Sequence, residues 1–192
     1  QIGPAMEPII TSLQNQRVKN AAKLRDHRGR QTQDRIIIDG AREILRAIQA
    51  GVRVVEIFTC DEFVCRAEAH GVLETGRQRG LQPLRVTPAV FEKLAYGARA
   101  EGVIAVAVRP AATWPHLSLP ENPLLVVLEQ VEKPGNLGGV LRTADAVGAA
   151  VILADPLADI YSPNAIRASL GAIFSVPLAV ATSQEVLAWL RQ

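Results

Sequence analysis

Apolar residues fall along the chain in short alternating blocks. A β-branched run, "RIIIDG" (Arg35 to Gly40), ends on glycine and gives way to "AREILRAIQAG", whose apolar positions recur at helical spacing from Ala41 to Ala50 and stop at Gly51. "VRVVEIFTC" then predicts a second strand, "EFVCRAEAHGVLETGRQRG" an interrupted helix and "LQPLRVT" a third strand. "PAVFEKLAYG" predicts a helix from Pro88 to Gly97, and "GVIAVAVRP" a fourth strand. Ahead of them Leu13, Val18, Ala21, Ala22 and Leu24 predict a short basic helix within residues 12–31, with "HRGR" breaking it into a loop. Alternation of this kind predicts an α/β sandwich of about a hundred residues.

A second pattern follows a break. "AATWPHLSLPENP" (Ala111 to Pro123) has three prolines and little periodicity, so it reads as a linker between a domain at 6–110 and another at 124–192. Beyond it, "LLVVLEQ" and "AAVILAD" predict buried strands on either side of a helix, "GGVLRTADAVG", that ends at Gly148. "SPNAIRASLGAIF" predicts one helix with Pro163 near its start, "VPLAVA" a strand, and "SQEVLAWLRQ" a helix to the last residue. This is a βαβ arrangement with a parallel sheet. No internal repeat or low-complexity segment is visible.

Composition narrows the class. With 192 residues, 48% hydrophobic and 21% charged, the chain can bury a real core. No apolar run approaches the roughly 18 residues of a membrane-spanning helix, and no basic stretch leads into an apolar one as in a secretory signal. Met6 reads as the natural start, with "QIGPA" as an appended remnant. Cys60 and Cys65 lie in "TCDEFVC" without a histidine to complete a metal site, and His27, His70 and His116 are scattered. The expectation is a cytoplasmic protein with reduced thiols, no metal and no membrane partner.

Net charge is +2, but residues 1–113 hold 17 Lys/Arg against 12 Asp/Glu, while residues 114–192 hold 4 against 7. Seven of the basic residues lie between Arg17 and Arg35. A polyanion partner and an ordinary solvated helix face both account for that segment.

The stretch of interest is "EKPGNLGGVLRTADAVGAAVILADP" (Glu132 to Pro156), with four glycines between apolar runs. It contains no GxxxxGK[ST], and no GxGxxG follows the strand, so neither a P-loop nor a dinucleotide site is indicated. Gly138 and Gly139 are read as a turn that allows close backbone approach. Val140, Leu141, Ala144 and Val147 would bury one side of the following helix. Arg142 must leave that stripe, either to grip a phosphate in a fork or as a plain surface arginine.

"NLGGVLRTADAVGA" resembles the first signature of the SpoU (TrmH-like) branch of the SPOUT RNA methyltransferases, and "SPNAIRASLGAIFSVPL" the next. Residues from "ITSLQNQRVKNAAKLRDHRGRQ" onward, and "VFEKLAYGARAEGVIAVAV", are similar to that family's L30e-like substrate-binding domain. The resemblance implies an L30e-like sandwich followed by part of a knotted α/β methyltransferase domain. It implies methyl transfer from S-adenosylmethionine to a ribose 2′-hydroxyl of structured RNA, ribosomal rather than transfer RNA, by a homodimer. It also implies that Arg142 is the catalytic arginine; beside it, Asn136 is expected at the catalytic site to orient the ribose or the turn, Arg25, Arg28 and Arg30 are expected as RNA phosphate contacts, and Arg167 is expected either to reach RNA or to bridge helices. An arginine is a poor base at neutral pH, its guanidinium having a pKa above about 12. The expected role is therefore a phosphate clamp that also stabilises a developing alkoxide. Trp114, Trp189 and Tyr161 are expected in packing.

Two features depart from the family pattern. Lys133 stands where many members carry an acidic residue. The segments that hold the cofactor, one glycine-rich with a Glu and one Ser-Leu-Asn, have no counterpart up to Gln192, so the cofactor contacts are expected beyond it. A non-catalytic RNA-binding module is the alternative expectation.

Overall fold

The computed structural model describes residues 8–96, 101–114 and 117–191. Met6, Gly97, His116 and Gln192, on which an expected start, a helix end, a histidine and the last helix end fall, lie outside them. The chain divides into two compact units, Gln1–Val108 and Arg109–Gln192.

In the first unit, strands β1 (Arg35–Asp39), β2 (Val54–Thr59), β3 (Leu84–Arg85) and β4 (Val103–Val108) form a sheet in the order β1-β4-β2-β3. β4 is antiparallel to both β1 and β2, while β2 and β3 run parallel. Alternation along β4 sends Ile104 and Val106 to one face, where they meet Val18, Ala21 and Leu24 of the N-terminal region and Val90, Phe91 and Leu94. Those groups lie on or beside α1 (Gln16–Lys23) and α5 (Pro88–Leu94), whereas α3 (Ala41–Gln49) packs against β1 and β4 together with α4 (Ala67–Gln78). The result is the expected sandwich.

Its details correct the sequence reading at three places. "HRGR" is no loop; it opens α2 (His27–Gln33). Gly29 is there for contact, since a Cβ at that position would stand 1.9 Å from the Lys23 carbonyl oxygen at the end of α1. The helix expected from "EFVC" starts only at Ala67, and the third strand has just two residues.

In the second unit β5 (Leu125–Glu129), β6 (Ala150–Ala154) and β7 (Leu178–Ala181) form a parallel sheet in that order. β6 is buried throughout because both of its faces are covered. Helices α6 (Pro134–Val147), α7 (Pro163–Ala168) and α8 (Ala172–Ser175) pack on one another. α9 (Ser183–Leu190) sets Val186 against Ile152 and Ala154 of β6. The helix expected from "SPNAIRASLGAIF" is in fact α7 and α8. Leu170 at φ 52° and Gly171 at φ 79° divide them, a left-handed pair that no helix continues through.

The linker reading also changes. Val180 N–H donates to the Ala112 carbonyl, and the Trp114 ring lies 5.1 Å from that of Trp189, so the start of this segment is packed into the second unit. The two tryptophans, expected to be separate packing residues, pack as a pair. Tyr161 is buried with its ring stacked on Phe174.

α9 begins with a capping box in which Thr182 and Glu185 bond reciprocally. The Thr182 backbone N–H, then its hydroxyl, hold the Glu185 carboxyl below its ordinary pKa. The Ser183 backbone N–H, then its hydroxyl, do the same for Asp155. Depressed folded values mean that this stabilisation is complete above the ordinary carboxylate range, near about 4, and disappears as pH falls through the lower folded values. Tryptophan fluorescence from the Trp114–Trp189 pair should therefore hold steady from neutral pH to about 5 and change only below about 4. A transition centred near pH 6 would contradict this assignment.

Candidate functional site

α6 places the chemistry of the second unit. The expected glycine-rich turn does not exist as such: Pro134 occupies the first turn, and Gly135, Asn136, Gly138 and Gly139 are all helical. Gly148, at φ 69°, ends the helix as predicted.

At about 100° per residue the α6 side chains sort into three faces. Leu137, Leu141 and Ala144 are buried. Gly135, Asn136, Gly139, Val140 and Thr143 line an open cavity of about 530 Å³ beside Val126 of β5. Gly138, Arg142 and Asp145, spaced i, i+4 and i+7, turn toward α7 and α8.

Contacts on the third face are close. A Cβ on Gly138 would stand 2.4 Å from the carbonyl carbon of Ala168. Arg142 Nη1 donates to the Ala168 carbonyl oxygen, and Ser175 Oγ donates to Asp145 Oδ1 at 2.8 Å. The Arg142 side chain is otherwise exposed. The structure therefore puts Asn136 and Arg142 on one helix but about 120° apart around it. Asn136 faces the cavity, whereas Arg142 is tied to the end of α7. Arg167 is half-buried on the last turn of α7. The Ala168 carbonyl was invisible to sequence reasoning, because a backbone acceptor leaves no residue-type signal. The Gly138–Arg142–Asp145 spacing was the one available clue.

In the first unit the three arginines taken as phosphate contacts differ sharply. Arg28 is exposed beside a cleft of about 490 Å³ that Asn20, Lys23, Asp26, Thr32 and Gln33 also line. Arg25 is half-buried, its Nη1 donating to the Lys93 carbonyl at 3.2 Å and its guanidinium lying 5.6 Å from the centre of the Tyr96 ring. Arg30 is only 4% exposed, and its Nη1 donates to the carbonyls of Leu24 and Arg25, both at 2.7 Å. Those are carbonyls that the end of α1 leaves without helical partners, so Arg30 is a strut rather than a phosphate contact. Lys23 is exposed on the rim of the cleft.

Among the described residues no group of three or more His, Cys, Asp or Glu is arranged to hold a metal ion, and no helix is long and apolar enough to cross a membrane.

Comparison with known proteins adds a family to this geometry. Residues 15–105 match the MRM3-like substrate binding domain, and residues 123–192 match the SpoU rRNA Methylase family. The chain is 39% identical to a solved RNA 2′-O ribose methyltransferase, with a TM-score of 0.81 over 96% of this chain and 70% of that one. The SpoU methyltransferase AviRb of Streptomyces viridochromogenes, solved with AdoMet, is 28% identical, with a TM-score of 0.79 over 92% of this chain and 67% of that one. The 23S rRNA (adenosine(1067)-2′-O)-methyltransferase of Streptomyces laurentii is 30% identical over 81% of this chain, which spans 57% of that relative's length. A sandwich followed by a parallel βαβ unit, with both parts matched, makes the chain a member of the SpoU family of RNA methyltransferases.

Proposed function

We propose that the complete protein transfers a methyl group from S-adenosylmethionine to a ribose 2′-hydroxyl of structured ribosomal RNA, as a cytoplasmic homodimer. The observation that carries this reading is Arg142: one guanidinium edge is fixed on the Ala168 carbonyl while the side chain stays open to solvent, within a helix whose sequence carries the family signature. Its free N–H groups can clamp the phosphate beside the target ribose and meet negative charge as the hydroxyl loses its proton. Asn136 offers both a donor and an acceptor at the α6 cavity and suits orientation of the ribose.

The described residues do not by themselves make a cofactor pocket. Glu129 and Asp155, at the strand ends where ligands usually bind in such sheets, both accept hydrogen bonds from Ser183. The α6 cavity is lined mainly by apolar and small residues. In this reading the methyl donor is held by parts of the protein matching relatives' sequence that this chain does not span.

Incubating the complete protein with ribosomal RNA and methyl-labelled S-adenosylmethionine should yield one 2′-O-methylnucleoside on nuclease digestion and mass spectrometry. Label on a base, or no label alongside intact RNA binding, would reject the reading, the latter in favour of a binding module.

The first unit supplies the grip on RNA in this reading, through Lys23, Arg25 and Arg28. Arg28→Ala should weaken binding to RNAs of different sequence about equally and lower the slope of log affinity against log salt by roughly one, with an unchanged melting temperature. Arg30→Ala should instead lower the melting temperature, since each hydrogen bond from a charged group contributes roughly 1.5–3 kcal/mol. Salt titrations with calorimetry on both variants separate the two. Equal behaviour would erase the distinction drawn between them.

A further inference from the structure

We propose that Gly138 is a positioning residue for Arg142: by letting α6 approach the end of α7, it puts the Ala168 carbonyl where the guanidinium can bind it. The proposal rests on the reading of Arg142 as the reacting-site arginine.

Five observations converge. One residue, Ala168, meets both members of the pair: a Cβ on Gly138 would stand 2.4 Å from its carbonyl carbon and 2.6 Å from its oxygen and Cβ, and that same oxygen accepts from Arg142 Nη1. Ordinary van der Waals contact begins at 3.4 Å, so a methyl group at 138 must move Ala168 or α6 by about an ångström.

Ala168 cannot swing aside easily. Ser169, fully buried, donates through Oγ to the Ile166 carbonyl at 2.8 Å and accepts from Ile173 N–H at 3.4 Å. Leu170 and Gly171 follow in left-handed backbone that fixes the turn into α8. One turn further along α6, the Asp145–Ser175 bond ties the helix to α8 as well. A displacement at 138 therefore falls on the Arg142 grip.

The requirement is local to one glycine. At Gly139, its neighbour, a Cβ would meet nothing within 4 Å and would look onto the open cavity. A need for backbone flexibility or helix-start geometry would apply to both residues alike. Only a close-approach role separates them.

Chemically, the Ala168 oxygen takes one Nη1 donor and restrains the guanidinium, leaving Nε and Nη2 as donors for a phosphate or an oxyanion. A shift of about 1 Å in such a group costs up to roughly a hundredfold in rate. It leaves binding of substrates held elsewhere nearly unchanged.

The test uses the complete protein. Gly138→Ala and Gly139→Ala are each made alone and with Arg142→Ala, and turnover is measured with ribosomal RNA and labelled S-adenosylmethionine. Gly138→Ala is expected to lower kcat about 10- to 100-fold with both KM values within about twofold, and to add nothing in the Arg142→Ala background. Gly139→Ala leaves the contact with Ala168 untouched, so any change it makes in kcat is expected to be the same in both backgrounds. An equal loss from Gly138→Ala in both backgrounds would overturn the proposal, because it would show a general structural effect.

A second measurement depends on neither activity nor the folding of a variant. In the unchanged protein with 15N-labelled arginine, Arg142 should show separate, slowed Nη–H signals because one edge is held. A single averaged signal would overturn the proposal. If Arg142→Ala turned over like wild type, the catalytic reading would fall and with it the kinetic half of the inference, while restrained Nη–H signals would still show the grip itself.

Discussion

Arg142→Ala, made in the complete protein, is expected to lower kcat for methyl transfer by roughly 100- to 1,000-fold, the usual cost of removing one preorganised donor aimed at developing charge. KM for the methyl donor should hardly move, and RNA affinity should fall by less than about tenfold, since one phosphate contact among many is lost. The exposure of the side chain excludes a large folding effect, and its single bond to the Ala168 carbonyl lies at the helix surface rather than in the core. Arg142→Lys keeps the charge but not the planar fork that can hold a carbonyl on one edge and an anion on the other. It should recover less than about a tenth of the lost rate. Single-turnover kinetics with labelled donor decide the matter, and a kcat for Arg142→Ala within about threefold of wild type would remove Arg142 from the site.

The layout of both units was legible because periodicity and stop signals agreed. Each helix that the sequence closed with glycine at Gly51 or Gly148 ends there with positive φ, at 80° and 69°. β6 was legible as a buried strand because its apolar run has no polar interruption, whereas β5, expected to be buried as well, lies at the edge of the sheet and stays partly exposed, Val127 included. What failed was the inference from glycine to chain breaking. Gly29, Gly135, Gly138 and Gly139 are all helical, and two of them serve contact distance instead. Sequence registers the absence of a Cβ but not which neighbour would have met it.

The site was legible only as a set of residue types. Arg28 and Arg30 are two positions apart and chemically alike, yet one faces solvent and the other satisfies the end of α1. The difference arises from α2 being helical, a feature that "HRGR" concealed. Asn136 and Arg142 were likewise joined by signature spacing, while the helix carries them to different faces. Trp114 and Trp189, 75 residues apart in a chain of 192, could be paired only by the fold.

Gly29→Ala should be the most damaging small substitution in the first unit. A Cβ there would lie 1.9 Å from the Lys23 carbonyl oxygen and 3.2 Å from the Lys23 Cβ, so the obstruction is backbone and cannot rotate away. The two helices must separate, and Arg30 then loses its geometry on the Leu24 and Arg25 carbonyls. Overpacking of this kind costs about 3 kcal/mol at the upper end of its usual range, or a fall of roughly 10 °C or more in the melting temperature of a unit this size. The rim formed by Lys23 and Arg28 spans the same junction, so RNA affinity should drop with stability. That joint loss separates Gly29→Ala from Arg28→Ala, which changes affinity alone. Gly139→Ala provides the contrast, since it adds a methyl group to open space in a helix and should stabilise by up to about 1 kcal/mol. Scanning calorimetry and RNA titration on the three variants test the set. An unchanged melting temperature for Gly29→Ala would mean that α2 can leave α1 without cost, and that the basic surface is not built by their contact.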